Sequence, residues 1–224
     1  MSVFEERLQK IQSRIPSEVM LIAVTKTFAS AVVREAYAAG IRDFGENKIQ
    51  EALEKQEKLR DLTGVTWHFI GHLQSNKTRK ALNHFDWIHS VDSLKLAQRL
   101  DRQAAELGKC PNCCLQVKLA PDDNKSGFEV DELMVSLAAI AQLQHLNIRG
   151  LMVIAPYGLP AADTQLIFER GRQLITKIND QLAKLAGVTL QLDQLSMGMS
   201  GDFELAIAQG ATMVRLGSGL FGQR

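Results

Sequence analysis

The stretch 20–27, with the sequence MLIAVTKT, decides the fold. It opens with five apolar or small residues, and such a short run is typical of a strand buried on both faces. The run ends at Thr25 and Lys26, where barrels of parallel strands carry their active sites. An amine held against apolar walls loses solvation and becomes able to attack a carbonyl. The central hypothesis is therefore that Lys26 forms a Schiff base, and the alternative is a lysine that extends from a strand end into solvent.

Strand and helix patterns alternate from this stretch to the end of the chain. Expected strands fall at 20–26, within 41–47 (a short strand and a Gly turn), and at 65–72, 85–91, 113–119, 148–155, 190–195 and 211–216. Expected helices fall at 2–14, 30–39, 47–60, 76–83, 93–107, 131–143, 163–185 and 202–209. Alternation of this kind indicates parallel strands joined by right-handed crossovers.

Eight such units in 224 residues predict a single α/β domain over 1–224, a (β/α)₈ TIM barrel with an extra N-terminal helix. An open doubly wound sheet is the alternative fold. It is disfavoured because no Gly-rich dinucleotide-binding fingerprint follows the first strand.

The composition limits the classes of partner. The chain is 46% hydrophobic, and its 26 basic and 25 acidic side chains leave a net charge of +1. This balance gives no reason to expect nucleic acid or a charged membrane surface as a partner. No apolar run approaches the roughly 20 residues of a membrane span. Glu5 and Glu6 stand where a signal peptide would be basic, so a cytoplasmic protein is expected.

The three cysteines lie together in CPNCC, residues 110–114. Cys110 and Cys113 have the spacing of a zinc or redox pair, but no second pair accompanies them. The simpler interpretation is thiols at the start of a strand, and no metal site is expected.

Two Gly/Ser-rich segments follow the seventh and eighth strands. These segments are LSMGMSGD at 195–202 and VRLGSGLFG at 214–222. Hydroxyls, tight backbone turns and exposed amide N–H groups suit a phosphate, and the loops after these strands often build a phosphate site in barrels. A reactive lysine at the same rim suggests a phosphorylated aldehyde. Pyridoxal 5′-phosphate fits this outline, and so does the substrate of a sugar-phosphate aldolase.

Longer motifs give a more specific indication. They are AVTK (23–26), DFGEN (43–47), WHFIGHLQSNK (67–77), HSVDS (89–93), LSMGMSGDFELAIAQGAT (195–212) and VRLGSGLFG (214–222). In this order, and over almost the whole chain, they resemble the YggS/PROSC family of pyridoxal-phosphate-binding proteins of vitamin B6 homeostasis. The resemblance implies a single (β/α)₈ barrel similar to the N-terminal domain of bacterial alanine racemase.

The resemblance also implies roles for individual residues. Lys26 matches the lysine that forms the Schiff base with pyridoxal phosphate. Arg215 matches an arginine that faces the pyridine nitrogen, although a contact with the phosphate stays open. The residues that match the phosphate-holding loops are Ser196, Ser200, Gly217 and Ser218. The residues expected at strand ends around the ring are Asn47, His68, Ser90 and Met197, with a satisfied inward histidine as the alternative for His68 and simple packing for Met197.

Catalysis is not expected. A racemase needs two bases on opposite faces of the substrate carbon. In the racemase fold the second base is a tyrosine from another domain, and here only Tyr37 and Tyr157 are available. The expectation is a non-catalytic, monomeric carrier, buffer or sensor of pyridoxal phosphate that acts in amino-acid and keto-acid balance. Possible protein partners are pyridoxal-phosphate-dependent apoenzymes or a regulatory protein; the alternatives are a weak racemase-like enzyme, a Schiff-base aldolase and a regulatory module with the cofactor as its input.

Overall fold

Parallel strands that close into a barrel form the centre of the computed structural model, which describes residues 2–122 and 125–222. Each strand pairs with the next along the chain, and the eighth pairs with the first. The strands are β1 (Met20–Val24), β2 (Asp43–Glu46), β3 (Thr66–Phe69), β4 (Trp87–Val91), β5 (Asn112–Val117), β6 (Asn147–Val153), β7 (Gln194–Ser196) and β8 (Met213–Leu216). The predicted fold class is confirmed. Residues 1, 123–124 and 223–224 of the predicted domain 1–224 lie outside the described residues.

Helices connect the strands on the outside of the barrel. They are α1 (Val3–Gln12), α2 (Ser30–Ala38), α3 (Ile49–Lys58), α4 (Thr78–His84), α5 (Leu94–Leu107), α6 (Val130–Ile140), α7 (Ala161–Leu182), α8 (Phe203–Ala208) and α9 (Ser218–Phe221), with a 3₁₀ turn at Ser75–Lys77. Their apolar faces pack on the outward side chains of the strands and form the main core.

The seventh strand differs most from its prediction. It was expected at 190–195 but forms only at Gln194–Ser196. The cause is Asn179 on α7, whose side chain both donates to the Leu192 carbonyl and accepts from the Leu192 N–H, each at 2.8 Å. Because these bonds occupy the backbone N–H and carbonyl of Leu192, this residue is tied to α7 and does not pair in the sheet.

Helix α1 supports the last turn of the chain. Ser2 and Glu5 form a complete capping box at its start, as the sequence predicts. Its buried face places the Phe4 ring on the Phe221 ring, with 5.4 Å between centroids. A turn predicted from the Gly/Ser pattern after β8 is here the one-turn helix α9, and α1 packs behind it.

The barrel interior is divided between apolar and polar side chains. The apolar part is a separate cluster formed by Ile22, Trp87, Cys114, Met152 and Met213. Beside it lies a row of hydrogen-bonded polar side chains from β2, β3, β4, β7 and β8. Barrel interiors are usually filled by branched apolar residues, so the polar row is a departure from the usual packing.

The contact between β6 and β7 depends on Gly150. A Cβ at this position would lie 1.7 Å from the backbone oxygen of Gln194. We expect Gly150→Ala to lower the free energy of unfolding by about 3 kcal/mol or more, because the two strands must separate. Urea denaturation followed by circular dichroism measures this change.

Gly64→Ala is the matched control. Its Cβ would meet nothing within 4 Å, but its φ of +69° belongs to the left-handed region. Only that backbone penalty applies, about 1–2 kcal/mol. Equal losses in the two variants would contradict the proposed close contact.

Candidate functional site

A cavity of about 730 Å³ opens at the carboxyl ends of the strands. Six of the residues that the sequence predicts for the site line it, namely Lys26, Asn47, Ser200, Arg215, Gly217 and Ser218. Apolar side chains of Val24, Ile70, Met152 and Ile154 also line it. A second cavity of about 660 Å³ lies outside the barrel, between α7 and the segment after β5, and none of the predicted residues lines it.

Lys26 leaves β1 at a constrained turn. The next residue, Thr27, has a φ of +66°, which is an uncommon conformation for a β-branched residue. The Thr27 N–H donates to a Glu51 carboxylate oxygen at 3.3 Å. The side chain of Lys26 is exposed at the mouth. The apolar enclosure that the sequence suggested for this amine is not observed, because Lys26 is exposed.

A buried ion pair stabilises the end of β1 below this turn. Lys55 Nζ on α3 lies 2.5 Å from a Glu46 carboxylate oxygen and donates to the Thr25 carbonyl at 2.6 Å. The Thr25 hydroxyl donates to the same Glu46 oxygen at 2.6 Å. Burial raises the pKa of Glu46, and the bonds from Lys55 and Thr25 only partly offset this rise. Glu46 belongs to the DFGEN motif, but neither charged residue was predicted for the site; the available signal was Lys55 on the apolar stripe of α3, with Ile49 and Ala52.

Backbone N–H groups converge beside Ser200. Its hydroxyl oxygen accepts from the N–H of Gly217 at 3.2 Å and from that of Gly219 at 3.0 Å. Gly198 makes the preceding turn possible, because it has a φ of +90° and a Cβ there would lie 2.6 Å from the Ala206 Cβ. The amides thus orient the Ser200 hydroxyl, and this hydroxyl and that of Ser218 are donors that suit an anion.

Arg215 lies on the floor of the cavity. Its Nη1 donates to the Ser196 hydroxyl at 2.7 Å and its Nη2 to the Val153 carbonyl at 3.0 Å. Burial lowers the pKa of Arg215 to about 10, while Cys114 and Asp202 act in the opposite direction. The guanidinium therefore stays charged at neutral pH and presents only donors to a ligand.

The remaining four predicted residues do not line the cavity. His68 and Ser196 lie wholly buried in the barrel interior, hydrogen-bonded to other side chains. Met197 is wholly buried, and its Sδ lies 3.7 Å from the position of a Cβ on Gly171 of α7. Ser90 is wholly buried, and its hydroxyl has no hydrogen-bond partner among the described residues.

Asn47 is the best placed of the predicted ring contacts. Its side-chain oxygen is buried at the cavity and has no hydrogen-bond partner in the described ranges. A buried amide oxygen without a partner is costly, so a ligand that donates a hydrogen bond here would relieve that cost.

The described residues offer neither a metal site nor a membrane span. Neither a group of three or more His, Cys, Asp or Glu side chains able to hold a metal ion nor a helix long and apolar enough to cross a membrane occurs within 2–122 and 125–222. Cys110 is exposed, whereas Cys113 and Cys114 are buried, and all three are free thiols.

Known proteins are similar to this chain in sequence and in fold. The family model described as the alanine racemase N-terminal domain matches residues 1–224. The pyridoxal phosphate homeostasis protein of Synechocystis sp. is 52% identical over 223 residues, covering 100% of this chain and 98% of that protein. The protein of the same name in Pseudomonas aeruginosa is 46% identical over 234 residues, covering 100% and 97%.

Two solved structures complete the comparison. PipY of Synechococcus elongatus PCC7942, solved with pyridoxal phosphate bound, has a TM-score of 0.93 and 53% identity, covering 98% of this chain and 100% of that chain. Alanine racemase of Clostridium difficile 630 has a TM-score of 0.74 at 17% identity, covering 99% of this chain and 56% of that chain, and so shows the fold alone.

The class that fold and site define is a (β/α)₈ barrel of the alanine racemase N-terminal-domain type, with a lysine and a Gly/Ser turn at the mouth of its cavity. Within that class, the chain belongs to the family of pyridoxal phosphate homeostasis proteins, the YggS/PROSC family that its motifs resemble. The predicted family is therefore confirmed.

The ion pair below Lys26 generates a stability prediction. We expect Lys55→Met to lower the free energy of unfolding by about 3–5 kcal/mol at neutral pH, because it leaves the Glu46 carboxylate buried and unpaired. Loss of Lys55 also raises the pKa of Glu46 further. A carboxyl group whose pKa is higher in the folded than in the unfolded protein lowers the free energy of unfolding as the pH rises from the unfolded-state pKa through the folded-state pKa. The difference from wild type should therefore narrow as the pH is lowered towards the ordinary range of a carboxyl group.

Urea denaturation at several pH values measures this effect. Lys58→Met is the control, since Lys58 is exposed on the same helix. The double variant Glu46→Gln/Lys55→Met should recover part of the loss. A Lys55→Met variant that loses no more stability than Lys58→Met at neutral pH would rule out a structural role for the pair.

Proposed function

We propose that this protein binds pyridoxal 5′-phosphate at the barrel mouth, holds it as a Schiff base on Lys26 and acts in vitamin B6 homeostasis as a carrier, buffer or sensor. The observation that carries the proposal is that Lys26, Arg215 and the Ser200 turn line one cavity. Relatives named for pyridoxal phosphate homeostasis, and PipY with the cofactor bound, support the same conclusion.

The residues of the cavity fit the parts of this cofactor. The Ser200 hydroxyl, which the N–H groups of Gly217 and Gly219 hold in place, suits the phosphate. Asn47 offers a buried acceptor to a polar group on the ring. When bound, the cofactor supplies an aldehyde with which the Lys26 amine condenses, with loss of water.

Arg215 bears on whether the bound cofactor can do chemistry. We propose that it faces the pyridine nitrogen. A guanidinium that stays charged at neutral pH donates to that nitrogen, which then remains unprotonated. An unprotonated ring withdraws electrons less strongly than one paired with a carboxylate. This arrangement favours holding the cofactor over catalysis.

The positions of the tyrosines also support a non-catalytic role. The Tyr37 hydroxyl donates to the Thr63 carbonyl at 2.9 Å, away from the cavity. Tyr157 lines the cavity but its side chain is fully exposed. Neither is held where a second base would act. We extend the proposal to a cytoplasmic monomer that passes the cofactor to apoenzymes or reports it to a regulatory protein, as the family resemblance implies.

Lys26→Ala should abolish the covalent link. We expect the wild type to develop a visible absorption band with added pyridoxal phosphate, and borohydride reduction followed by peptide mass mapping to place the adduct on Lys26. Lys26→Ala should show neither feature. The control is Lys184→Ala, an exposed lysine just after the C-terminal end of α7. An adduct on another lysine in the wild type would refute the assignment.

Ser200→Ala should separate phosphate recognition from recognition of the ring. We expect its affinity for pyridoxal phosphate to fall about tenfold, because a hydrogen bond to a charged group contributes about 1.5–3 kcal/mol. Affinity for pyridoxal, which lacks the phosphate, should change little. Fluorescence titration of both ligands tests this, with the exposed Ser17→Ala as control. Equal losses for both ligands would indicate a general disturbance of the cavity.

Catalysis is tested by exchange of the α-hydrogen of amino acids in D₂O. The loaded wild type should exchange it no faster than free pyridoxal phosphate at the same concentration. Exchange that is faster and that disappears in Tyr157→Phe would favour the alternative of a weak racemase-like enzyme.

A further inference from the structure

Four hydrogen bonds connect the amino-terminal end of β2 with the floor of the cavity. Asp43 Oδ1 lies 3.0 Å from His68 Nε2, and His68 Nδ1 lies 2.9 Å from His89 Nε2. His89 Nδ1 lies 2.8 Å from the Ser196 hydroxyl, to which Arg215 Nη1 donates at 2.7 Å. We call Asp43, His68, His89, Ser196 and Arg215 together the interior relay.

The two ends of the interior relay lie in different surroundings. The three middle residues are wholly buried. Asp43 begins β2 and its side chain is 25% exposed, so this end reaches the solvent at the far side of the barrel from the cavity. Arg215 lines the cavity itself. The relay therefore joins the solvent at one end of the barrel to the ligand site at the other.

The bond between His89 and Ser196 crosses the barrel, because β4 and β7 are not neighbours in the sheet. Polar groups that are buried this deeply are costly unless every donor and acceptor is satisfied. Apolar side chains fill the rest of the same interior. Stability alone therefore does not explain a row of polar side chains here. A role at the ligand site does explain it.

The charged ends give the hydrogen bonds one direction. Asp43 as a carboxylate only accepts, so a neutral His68 ring donates from Nε2 and accepts at Nδ1. His89 must then donate from Nε2 and accept at Nδ1. The Ser196 hydroxyl consequently donates to His89, and its oxygen accepts from Arg215. Every donor points from Arg215 towards Asp43.

The groups around the relay preserve this arrangement. Burial lowers the pKa of His89, and the neighbouring guanidinium of Arg215 adds repulsion, so this ring stays neutral. Trp87 packs against both histidine rings, with centroid distances of 5.8 Å to His68 and 5.7 Å to His89.

Further ionisable groups lie near the relay. Cys114 and Asp202 act on Arg215. Arg149 lies over the Trp87 ring and pairs with Asp193.

We propose that Asp43, His68, His89 and Ser196 are positioning residues for Arg215, and that the direction of the relay sets how firmly Arg215 is held towards a ligand. The proposal rests on the proposed pyridoxal phosphate site. A hydroxyl that donates to His89 is a better acceptor for the guanidinium, because successive hydrogen bonds polarise one another. A change at Asp43, outside the cavity, therefore reaches the ligand through the barrel interior.

The first test reads the direction without any ligand. ¹⁵N NMR of the imidazole groups in the wild-type protein should show Nε2 protonated and Nδ1 unprotonated in both His68 and His89. Protonated Nδ1 on His89 would overturn the proposal. In Asp43→Asn, an amide that can both donate and accept replaces the carboxylate, so both rings should show mixed tautomers.

The second test reads the effect on the ligand. We expect Asp43→Asn to weaken binding of pyridoxal phosphate roughly fivefold or more, the lower end of typical couplings between sites. The visible band should still form, because Lys26 is untouched. Asp193→Asn is the matched control, since Asp193 lies next to β7, pairs with Arg149 and is outside the relay. This control should leave both the tautomers and the affinity unchanged.

Ser196→Ala completes a double-mutant cycle. If the relay acts through Ser196, Asp43→Asn should have no further effect on affinity when Ser196 is already alanine. Additive losses would show that Asp43 acts by another route and would overturn the proposal. A wild type that binds no pyridoxal phosphate would instead refute the proposed function, while the tautomers would still report on the direction of the relay.

Discussion

Closure of the barrel between β8 and β1 is the constraint on which the site depends. The parallel register places Ile22 opposite Arg215 and Ala23 opposite Leu216. Since Lys26 follows β1 closely and Gly217 follows β8 directly, this pairing brings the amine, the guanidinium and the Gly/Ser turn to one rim. The site residues on the two sides of this junction are far apart in the sequence. The site therefore forms only when the sheet is closed. Helix α1, packed behind α9, reinforces the same junction from outside.

Polar groups are buried at two places in the structure, and the two groups have different roles. The Glu46–Lys55 pair lies between β2 and α3, where it fixes the backbone of Thr25 directly before Lys26. A buried pair of this kind adds little net stability over an apolar pair, but removing one partner is costly. The interior relay lies inside the barrel and ends at Arg215. In both places the charge stands next to a residue that the proposed function uses, which is where a fold tolerates such a cost.

The sequence predicts what depends on local pattern and misses what depends on contacts across the barrel. Alternating apolar strands and amphipathic helices are local, so the fold, the position of Lys26 and the Gly/Ser turns follow from the sequence. His68 was expected beside the ring because it lies near a strand end, yet it lies in the interior with Asp43 and His89. Which inward side chains meet is set by the stagger of the strands around the barrel, and pattern along one strand carries no information on that stagger. The same reason applies to Ser196, whose partners come from β4 and β8.

The open mouth of the cavity suggests why such a barrel would bind a cofactor without catalysing a reaction with it. Racemisation depends on a site that excludes water and holds bases on both sides of the reacting carbon. Here Lys26 and Tyr157 are exposed at the rim of a broad cavity. Water that reaches a Schiff base can hydrolyse it. The access of water that weakens catalysis therefore favours release of the cofactor. In the proposed function, an exposed lysine is suited to exchange of the cofactor, while the buried anchors of Arg215 supply the specificity that the rim does not.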